Sequence, residues 1–189
     1  LVPSPGYPVH FNGPIMAGGI LYSIPVTKEN GYKPDLKSLG REIARMAKIL
    51  FISYPHNPTT AVADLEFFQE VVDWGKNKDI IIAHDNAYSD FVFNGKPAPS
   101  ILQIKGAKEK CVEFHTLSKS YNMAGWRIGM VVGNANIIRS LEKTKSYIDF
   151  GLFRPIQLAA IKALTGPQDC VREIVDTYRK RRDVFVGGL

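Results

Sequence analysis

The chain has 189 residues, a formal net charge of +6 and 45% hydrophobic residues. These values are ordinary for a globular chain with one substantial core, and they argue against disorder. No apolar run is long enough for a membrane-spanning helix, and the first residues lack the basic and apolar regions of a secretion signal, so the sequence predicts a soluble, cytoplasmic protein.

The basic residues are spread along the chain, apart from one cluster at residues 179–182. On a predicted helix that cluster is typical of a solvated face, and neither a zinc pattern nor repeated stacking aromatics accompanies it. We therefore expect no nucleic-acid partner. The two cysteines and four histidines are scattered, which predicts neither a disulfide framework nor a metal site.

The first half of the chain predicts alternating helices and strands. A turn rich in proline over residues 1–8 presents Tyr7, and a short helix over 9–17 and a strand over 20–26 follow. Asp35 is predicted to cap a helix that ends near Met46, and residues 48–53 are typical of a buried parallel strand. Asp64 is predicted to cap a helix whose core residues recur at helical spacing, namely Leu65, Phe68, Val71, Val72 and Gly75.

The second half continues this alternation. Residues 80–84 and 128–133 are typical of buried strands, and residues 111–115 alternate polar and apolar side chains as a strand does. Residues 94–110, rich in Gly, Pro and Lys, predict a surface connection, and helices are predicted over 136–147, 155–164 and 169–186. The pattern indicates an α/β fold with a three-layer, doubly wound, mostly parallel sheet.

Polar side chains follow three of the predicted strands. Asn57, Asp85 and Lys119 each come just after a strand, where ligands of doubly wound sheets bind. Taken singly, an Asn-Pro turn, a capping aspartate or a solvated loop lysine would explain each residue without any ligand. Three such segments meeting at one edge are less easily explained by chance, so the sequence predicts a binding site there.

The segment around Lys119 carries the most specific chemistry. A lysine amine attacks a carbonyl when it is neutral, and a desolvating site or a second cation favours that form. Arg127 would supply the cation, and its planar fork suits a phosphate, while Thr116 and Ser118 add hydroxyls. Gly125 and Gly129 would let the backbone pass close to a ligand. Pyridoxal 5'-phosphate (PLP) is the obvious aldehyde for such a pocket, although an ordinary solvated loop would carry similar residues.

The run from Ser118-Lys119 to Gly125-Trp-Arg-Ile-Gly129 resembles the PLP-lysine signature of class I/II aminotransferases, the fold type I enzymes. Thr116 stands where that signature usually has Ser or Gly. The resemblance covers essentially the whole chain and implies the large PLP-binding domain of fold type I. Within this family the sequence is most similar to bacterial glutamate–pyruvate (alanine) aminotransferases, with LL-diaminopimelate aminotransferases as close relatives.

The resemblance implies roles for residues around the cofactor ring. Tyr7, within Pro-Gly-Tyr-Pro, would stack on the ring, and Asp85 would pair with the pyridine nitrogen. The Tyr88 hydroxyl would contact the phenolic oxygen of the cofactor. Asn57 would contact both cofactor and substrate, although its segment reads Asn-Pro-Thr-Thr where the family has Asn-Pro-Thr-Gly.

The resemblance also assigns the residues on the lysine side. Lys119 would be both covalent anchor and general base. Thr116, Ser118 and Arg127 would hold the cofactor phosphate.

The implied activity is transamination between an amino acid and a 2-oxo acid, with L-alanine and 2-oxoglutarate as the expected pair. LL-diaminopimelate or aspartate aminotransferases and C–S lyases would use the same cofactor residues, and a PLP-sensing domain of a transcription regulator is the alternative of another class. A homodimer is expected. The family's glycine-rich phosphate loop and substrate-carboxylate arginine are not among these residues, so we expect residues 1–189 to be part of a large domain that is inactive alone.

Overall fold

The computed structural model describes residues 1–93 and 95–189. A small parallel sheet near the start pairs β1 (Val2–Ser4) with β2 (Ser23–Pro25). The central sheet contains β3 (Ile49–Ser53), β4 (Ile81–Asp85), β5 (Cys111–Thr116) and β6 (Gly129–Gly133), in that order. β3, β4 and β5 are parallel and β6 is antiparallel to β5, which confirms the prediction of a mostly parallel α/β sheet.

Seven α-helices accompany the strands. They are α1 (Pro8–Met16), α2 (Arg41–Met46), α3 (Leu65–Lys78), α4 (Leu117–Ser120), α5 (Ala135–Ile148), α6 (Arg154–Thr165) and α7 (Asp169–Gly187) among the residues that the structure describes. In residues 1–93 and 95–189 no helix has both the length and the hydropathy to cross a bilayer.

The main core lies between α3 and the central sheet. Phe68, Val71 and Val72 of α3 are fully buried against apolar side chains of β3, β4 and β5, which include Leu50, Ile52, Ile82 and Cys111. Burying each of the larger side chains contributes about 1.5–3 kcal/mol to folding. The opposite face of the sheet meets α1, where the His10 ring stacks on Phe51 with centroids 5.7 Å apart. Both faces of β3 are therefore held by helices at the end that carries the predicted site.

Two predictions in the first half of the chain are wrong. Asp35 does not cap a helix: its carboxylate accepts from the backbone N–H groups of Lys37 and Ser38, which closes a local turn, and α2 starts only after Gly40. An aspartate satisfies backbone donors two or three residues on whether or not a helix follows. Leu65 is 45% exposed because the first residue of α3 points away from the sheet.

The predicted burial of two later segments also needs correction. Among the strands of the described residues β6 lies at the edge of the central sheet, and its Met130 and Val132 are 40% and 38% exposed on this chain. The predicted surface connection contains short 3-10 turns at Ile101–Gln103 and Ala107–Glu109, whose first residues are buried in the core. Asn94, the first residue of that connection, lies outside the described residues.

Candidate active site

The carboxyl ends of β3, β4 and β5 meet at one edge of the sheet. In the strand register Ser53 lies opposite Asp85, and Asp85 lies opposite Phe114. Asn57 therefore follows β3 at the same edge where Asp85 ends β4 and where Lys119 follows β5. The three segments that the sequence singled out come from distant parts of the chain and converge as expected.

Thr116 organises the start of the lysine segment. Its Oγ1 accepts the backbone N–H of Ser118 at 3.1 Å and lies 2.9 Å from Ser118 Oγ, so it forms the N-cap of α4. Both hydroxyls thus lie at the first turn of this short helix. Lys119 projects from the same helix, and its Nζ lies 5.6 Å from the centre of the Tyr88 ring. The lysine amine, which follows β5, and the tyrosine ring, which follows β4, are therefore neighbours at the ends of adjacent strands.

Arg127 lies at the other end of this segment in a left-handed conformation, with φ of 53°. Non-glycine residues in that region are uncommon and cluster at functional sites. Its guanidinium donates to the Ala124 carbonyl at 2.9 Å, and the side chain is exposed. The following residue, Ile128, bonds back to Leu117 through its carbonyl, which brings Arg127 next to the start of α4.

Gly129 was expected to let the backbone pass close to a ligand, but in the structure it lies close to β5. A Cβ at this position would lie 2.6 Å from the carbonyl oxygen of His115 on β5. The close approach is therefore between β6 and β5, and the pairing of these strands excludes a side chain at Gly129. Gly125 has open space around it.

A histidine that the sequence reasoning missed pairs with Asp85. His10 Nε2 lies 3.0 Å from Asp85 Oδ2, and the His10 ring is buried between Phe51 and the exposed Tyr7, whose ring meets it edge-on at 5.8 Å. The only available signal was that His10 follows Tyr7 by one helical turn in a segment that begins with Pro8. His10 and Tyr7 thus approach the Asp85 side of the site together.

His56 adds a second buried ring beside Asn57. Its Nδ1 lies 2.7 Å from Thr59 Oγ1, and burial together with the charge of His10 lowers the pKa of His56. The half-buried Asn57 follows it directly. The turn after β3 therefore carries Asn57 directly after a buried imidazole that senses the charge of His10.

A buried ionic network that no sequence pattern predicts lies under the same edge. Glu113 of β5 accepts from His84 Nδ1 at 2.9 Å, His115 Nε2 at 2.7 Å, Ser100 Oγ at 2.8 Å and the Ile101 backbone N–H at 2.9 Å. Burial alone would raise the pKa of Glu113, but these hydrogen bonds and the charge of His84 hold it well below its usual range.

His84 extends the network to β3. Its Nε2 lies 3.1 Å from the carbonyl oxygen of Tyr54, while its Nδ1 faces Glu113. One buried imidazole therefore bridges the ends of all three parallel strands. Among the described residues no group of three or more His, Cys, Asp or Glu side chains is arranged to hold a metal ion.

The side chains at this edge fit PLP in their chemistry. His10 occupies one oxygen of the Asp85 carboxylate, which is 27% exposed, so the other oxygen can accept from a protonated ring nitrogen. The Thr116 and Ser118 hydroxyls with Arg127 suit a phosphate, and the exposed Lys119 amine suits an aldehyde.

Comparison with known proteins identifies the family of the chain. The sequence model of the family described as aminotransferase class I and II matches residues 1–189. The chain is 51% identical over 189 residues to an LL-diaminopimelate aminotransferase of Moorella thermoacetica and 48% identical to the glutamate-pyruvate aminotransferase AlaC of Escherichia coli. These alignments cover 100% of this chain but only 48% and 46% of the two relatives.

A solved structure gives the same picture of the fold. Substrate-bound BacF of Bacillus subtilis superposes with a TM-score of 0.94 and 39% identity, over 97% of this chain and 47% of BacF. The chain thus spans about half the length of the relatives it matches. It belongs to the class I and II aminotransferases, a family of PLP-dependent enzymes with the fold type I architecture.

Proposed function

We propose that the complete protein is a PLP-dependent aminotransferase, which moves an amino group from an amino acid to a 2-oxo acid. The observation that carries the proposal is the convergence of Lys119, Tyr88 and the Asp85–His10 pair at one edge of the sheet. An amine, a phenol and a carboxylate in that arrangement match the aldehyde, phenolic oxygen and ring nitrogen of PLP. Family membership over the whole chain supports the same assignment.

Each residue at the edge has a role in this proposal. When bound, PLP supplies an aldehyde that bonds covalently to amines and a protonated ring that withdraws electrons. Asp85, oriented by His10, keeps the proton on the ring nitrogen, and Tyr7 covers the face of the ring. Tyr88 and Asn57 donate to the phenolic oxygen, and Asn57 also faces the substrate carboxylate.

The lysine segment holds the remaining roles. Thr116, Ser118 and Arg127 bind the phosphate, which fixes the distance of the cofactor from α4. Lys119 anchors the cofactor and then carries a proton to and from the substrate α-carbon. Because the first product leaves before the second substrate binds, we expect ping-pong kinetics.

We propose L-alanine and 2-oxoglutarate as the substrate pair, with pyruvate and L-glutamate as products. The 48% identity to the Escherichia coli glutamate-pyruvate aminotransferase supports this choice. LL-diaminopimelate is a second candidate, because relatives named LL-diaminopimelate aminotransferase are 49–51% identical over the same 189 residues.

A substrate panel separates these candidates. The complete protein, as its gene encodes it, is assayed with 2-oxoglutarate against alanine, LL-diaminopimelate, aspartate and methionine. We expect kcat/KM for alanine to exceed the others by about tenfold, roughly the free energy of one good polar contact. A preference for LL-diaminopimelate transfers the assignment to that substrate. Cofactor binding without any turnover would favour the PLP-sensing domain instead.

Lys119 provides the sharpest test of the mechanism. Lys119→Ala is expected to lower kcat by about 10³-fold, because a positioned general base contributes about 10²–10⁴-fold and the covalent anchor is lost as well. Lys37→Ala is the matched control, since the Lys37 side chain is 81% exposed and pairs with Glu70 of α3. Borohydride reduction of the loaded protein should place the cofactor label on residue 119, and a label on another lysine would contradict the proposal.

We also propose that the protein works as a homodimer. Tyr147, Phe150 and Phe153, at and after the end of α5, are 71–94% exposed on this chain. Exposed apolar clusters of this kind mark protein–protein contacts, and the resemblance places this loop near a subunit interface.

A further inference from the structure

A side-chain hydrogen bond joins the two segments that carry Lys119 and Tyr88. Ser120 Oγ, next to Lys119, donates to Asp90 Oδ2, two residues after Tyr88. Ser120 is buried, and Asp90 is partly buried. Hydrogen bonds to a charged acceptor in such surroundings are among the stronger ones in proteins.

The helix that carries Lys119 is too short to hold its own position. α4 has four residues, and so few cannot form a stable helix by themselves. Its first end is fixed by the Thr116 cap and by the buried Leu117. After its last residue, the Tyr121 hydroxyl donates to Gln168 Oε1 at 2.6 Å, at the start of α7.

The segment after Tyr88 is anchored separately to α7. The Phe91 ring meets Tyr178 edge-on at 5.2 Å, and Arg182 lies over the Phe93 ring at 4.4 Å. The Phe91 backbone N–H also donates to the Tyr88 carbonyl at 2.9 Å, which closes the turn. Asp90 is therefore presented to α4 from a segment that has its own contacts with α7.

Asp90 affects the end of α4 through its charge as well as through its hydrogen bond to Ser120. Burial raises the pKa of the Tyr121 phenol, and the nearby Asp90 carboxylate raises it further. Tyr121 directly follows Ser120, so Asp90 acts on two consecutive residues at the end of the lysine helix.

We propose that Asp90 is a positioning residue that sets the location of Lys119 relative to Tyr88 by holding Ser120. The inference deepens the proposed function, because a Lys119 amine and a Tyr88 hydroxyl at a fixed spacing would meet one cofactor. Neither Asp90 nor Ser120 touches the reacting atoms in this proposal. Their effect passes through the backbone of α4 and of the turn after β4.

Amide hydrogen exchange of the complete, cofactor-free protein tests the role of the Ser120–Asp90 hydrogen bond without relying on any activity. The reporters are the Phe91 N–H, bonded to Tyr88, and the Tyr121 N–H, bonded to Leu117. In Ser120→Ala and in Asp90→Ala we expect both amides to exchange about tenfold faster, as loss of one strong hydrogen bond allows. In the double variant the increase should equal that of Asp90→Ala and not the sum of the two, because both substitutions remove the Ser120–Asp90 bond and only Asp90→Ala also removes the 3.5 Å contact with Ser89 Oγ.

Two variants distinguish the loss of the Ser120–Asp90 hydrogen bond from a general loss of stability around α4. Tyr121→Phe breaks the bond to Gln168, so it should speed exchange at Tyr121 and leave Phe91 unchanged. Asp90→Asn keeps an acceptor oxygen and should stay within about threefold of the unaltered protein at both amides. Unchanged exchange at Phe91 in Ser120→Ala, or an equal rise there in Tyr121→Phe, would overturn the proposal.

Cofactor attachment gives the functional readout. The cofactor-free protein is mixed with PLP, quenched with borohydride at timed intervals, and the label on the Lys119 peptide is quantified. Attachment in Ser120→Ala should be about tenfold slower, because small displacements of a reacting group carry large costs in rate. Attachment at the unaltered rate would overturn the positioning role. If the unaltered protein itself takes up no label on Lys119, the proposed function fails. The exchange experiment still shows whether the Ser120–Asp90 hydrogen bond couples the two segments.

Discussion

Glu113 shows how one side chain can fix the ends of several strands. Its carboxylate receives four hydrogen bonds, and the His84 ring that donates one of them also contacts the carbonyl of Tyr54. A buried carboxylate is costly unless it is paired and fully hydrogen-bonded, and here both of its oxygens are engaged. The residue therefore stabilises the sheet only while it stays ionised.

Replacing Glu113 by Gln should destabilise the fold by about 3–5 kcal/mol, because the amide presents donors to groups that already donate. Since the pKa of Glu113 is lowered in the folded state, its contribution is complete above the usual value of 4.5 and is lost as the pH falls below it. Urea unfolding at several pH values should show a shallower acid limb for Glu113→Gln.

The control is Glu109→Gln, which removes an exposed pair with Lys76 and should cost less than about 1 kcal/mol. Equal losses in the two variants, or an unchanged acid limb in Glu113→Gln, would contradict this account.

Sequence patterns predicted the residues with proposed roles at the sheet edge better than the residues that contact them. Lys119, Asp85 and Asn57 follow strands in motifs with a chemical meaning, so their convergence could be predicted. His10 could not be, because its partner Asp85 is distant in sequence and nothing near His10 indicates a carboxylate. His84 and Glu113 lie in runs typical of strands, and only the register reveals that they are opposite each other.

At the scale of elements, the parallel strands were the most predictable parts. Residues of β3 and β4 form continuous apolar runs because both faces of these strands are covered. The exposure of β6 could not be read from its equally apolar residues, since its position at the edge is decided by the topology. The end of α2 near Met46 was predicted correctly, but its start was misplaced by the Asp35 turn.

Asp64 offers a test of how α3 begins. Its carboxylate accepts the Phe67 backbone N–H at 2.8 Å and pairs with Lys33 at 2.8 Å, and the Lys33 hydrogen bond lowers the pKa of Asp64. Asp64→Ala should lower the free energy of unfolding by about 1 kcal/mol, the usual value of an N-cap.

Asp64→Asn retains the capping oxygen and loses only the exposed charge pair, so chemical denaturation at pH 7 should place it near the unaltered protein. If Asn costs as much as Ala, the charge pair with Lys33 and not the cap would be the stabilising contact.

At the scale of the whole molecule, the apolar segment after α5 is a strongly exposed surface of this chain. Phe150 is 94% exposed and has φ of 53°, a conformation that bulky side chains rarely adopt. If this segment is a dimer contact, Phe150→Ser in the complete protein should weaken the dimer by about tenfold or more, as the loss of an aromatic anchor does. Light scattering over a range of protein concentrations measures this change.

Met16→Ser is the matched control, because Met16 is also strongly exposed but lies at the end of α1. An unaltered protein that is monomeric at every concentration, or equal weakening by both variants, would remove the support for this contact.

The reversed direction of β6 divides the site into two kinds of parts. Because β6 turns back alongside β5, Thr116, Ser118, Lys119 and Arg127 all come from one unbroken stretch of chain. Asp85, Asn57 and Tyr7, to which the proposal gives contacts with the ring, come from three other stretches, at the end of β4, after β3 and at the start of α1. In the proposed site the lysine and the phosphate contacts therefore belong to one local segment, whereas the contacts to the ring depend on the assembly of segments that are distant in sequence.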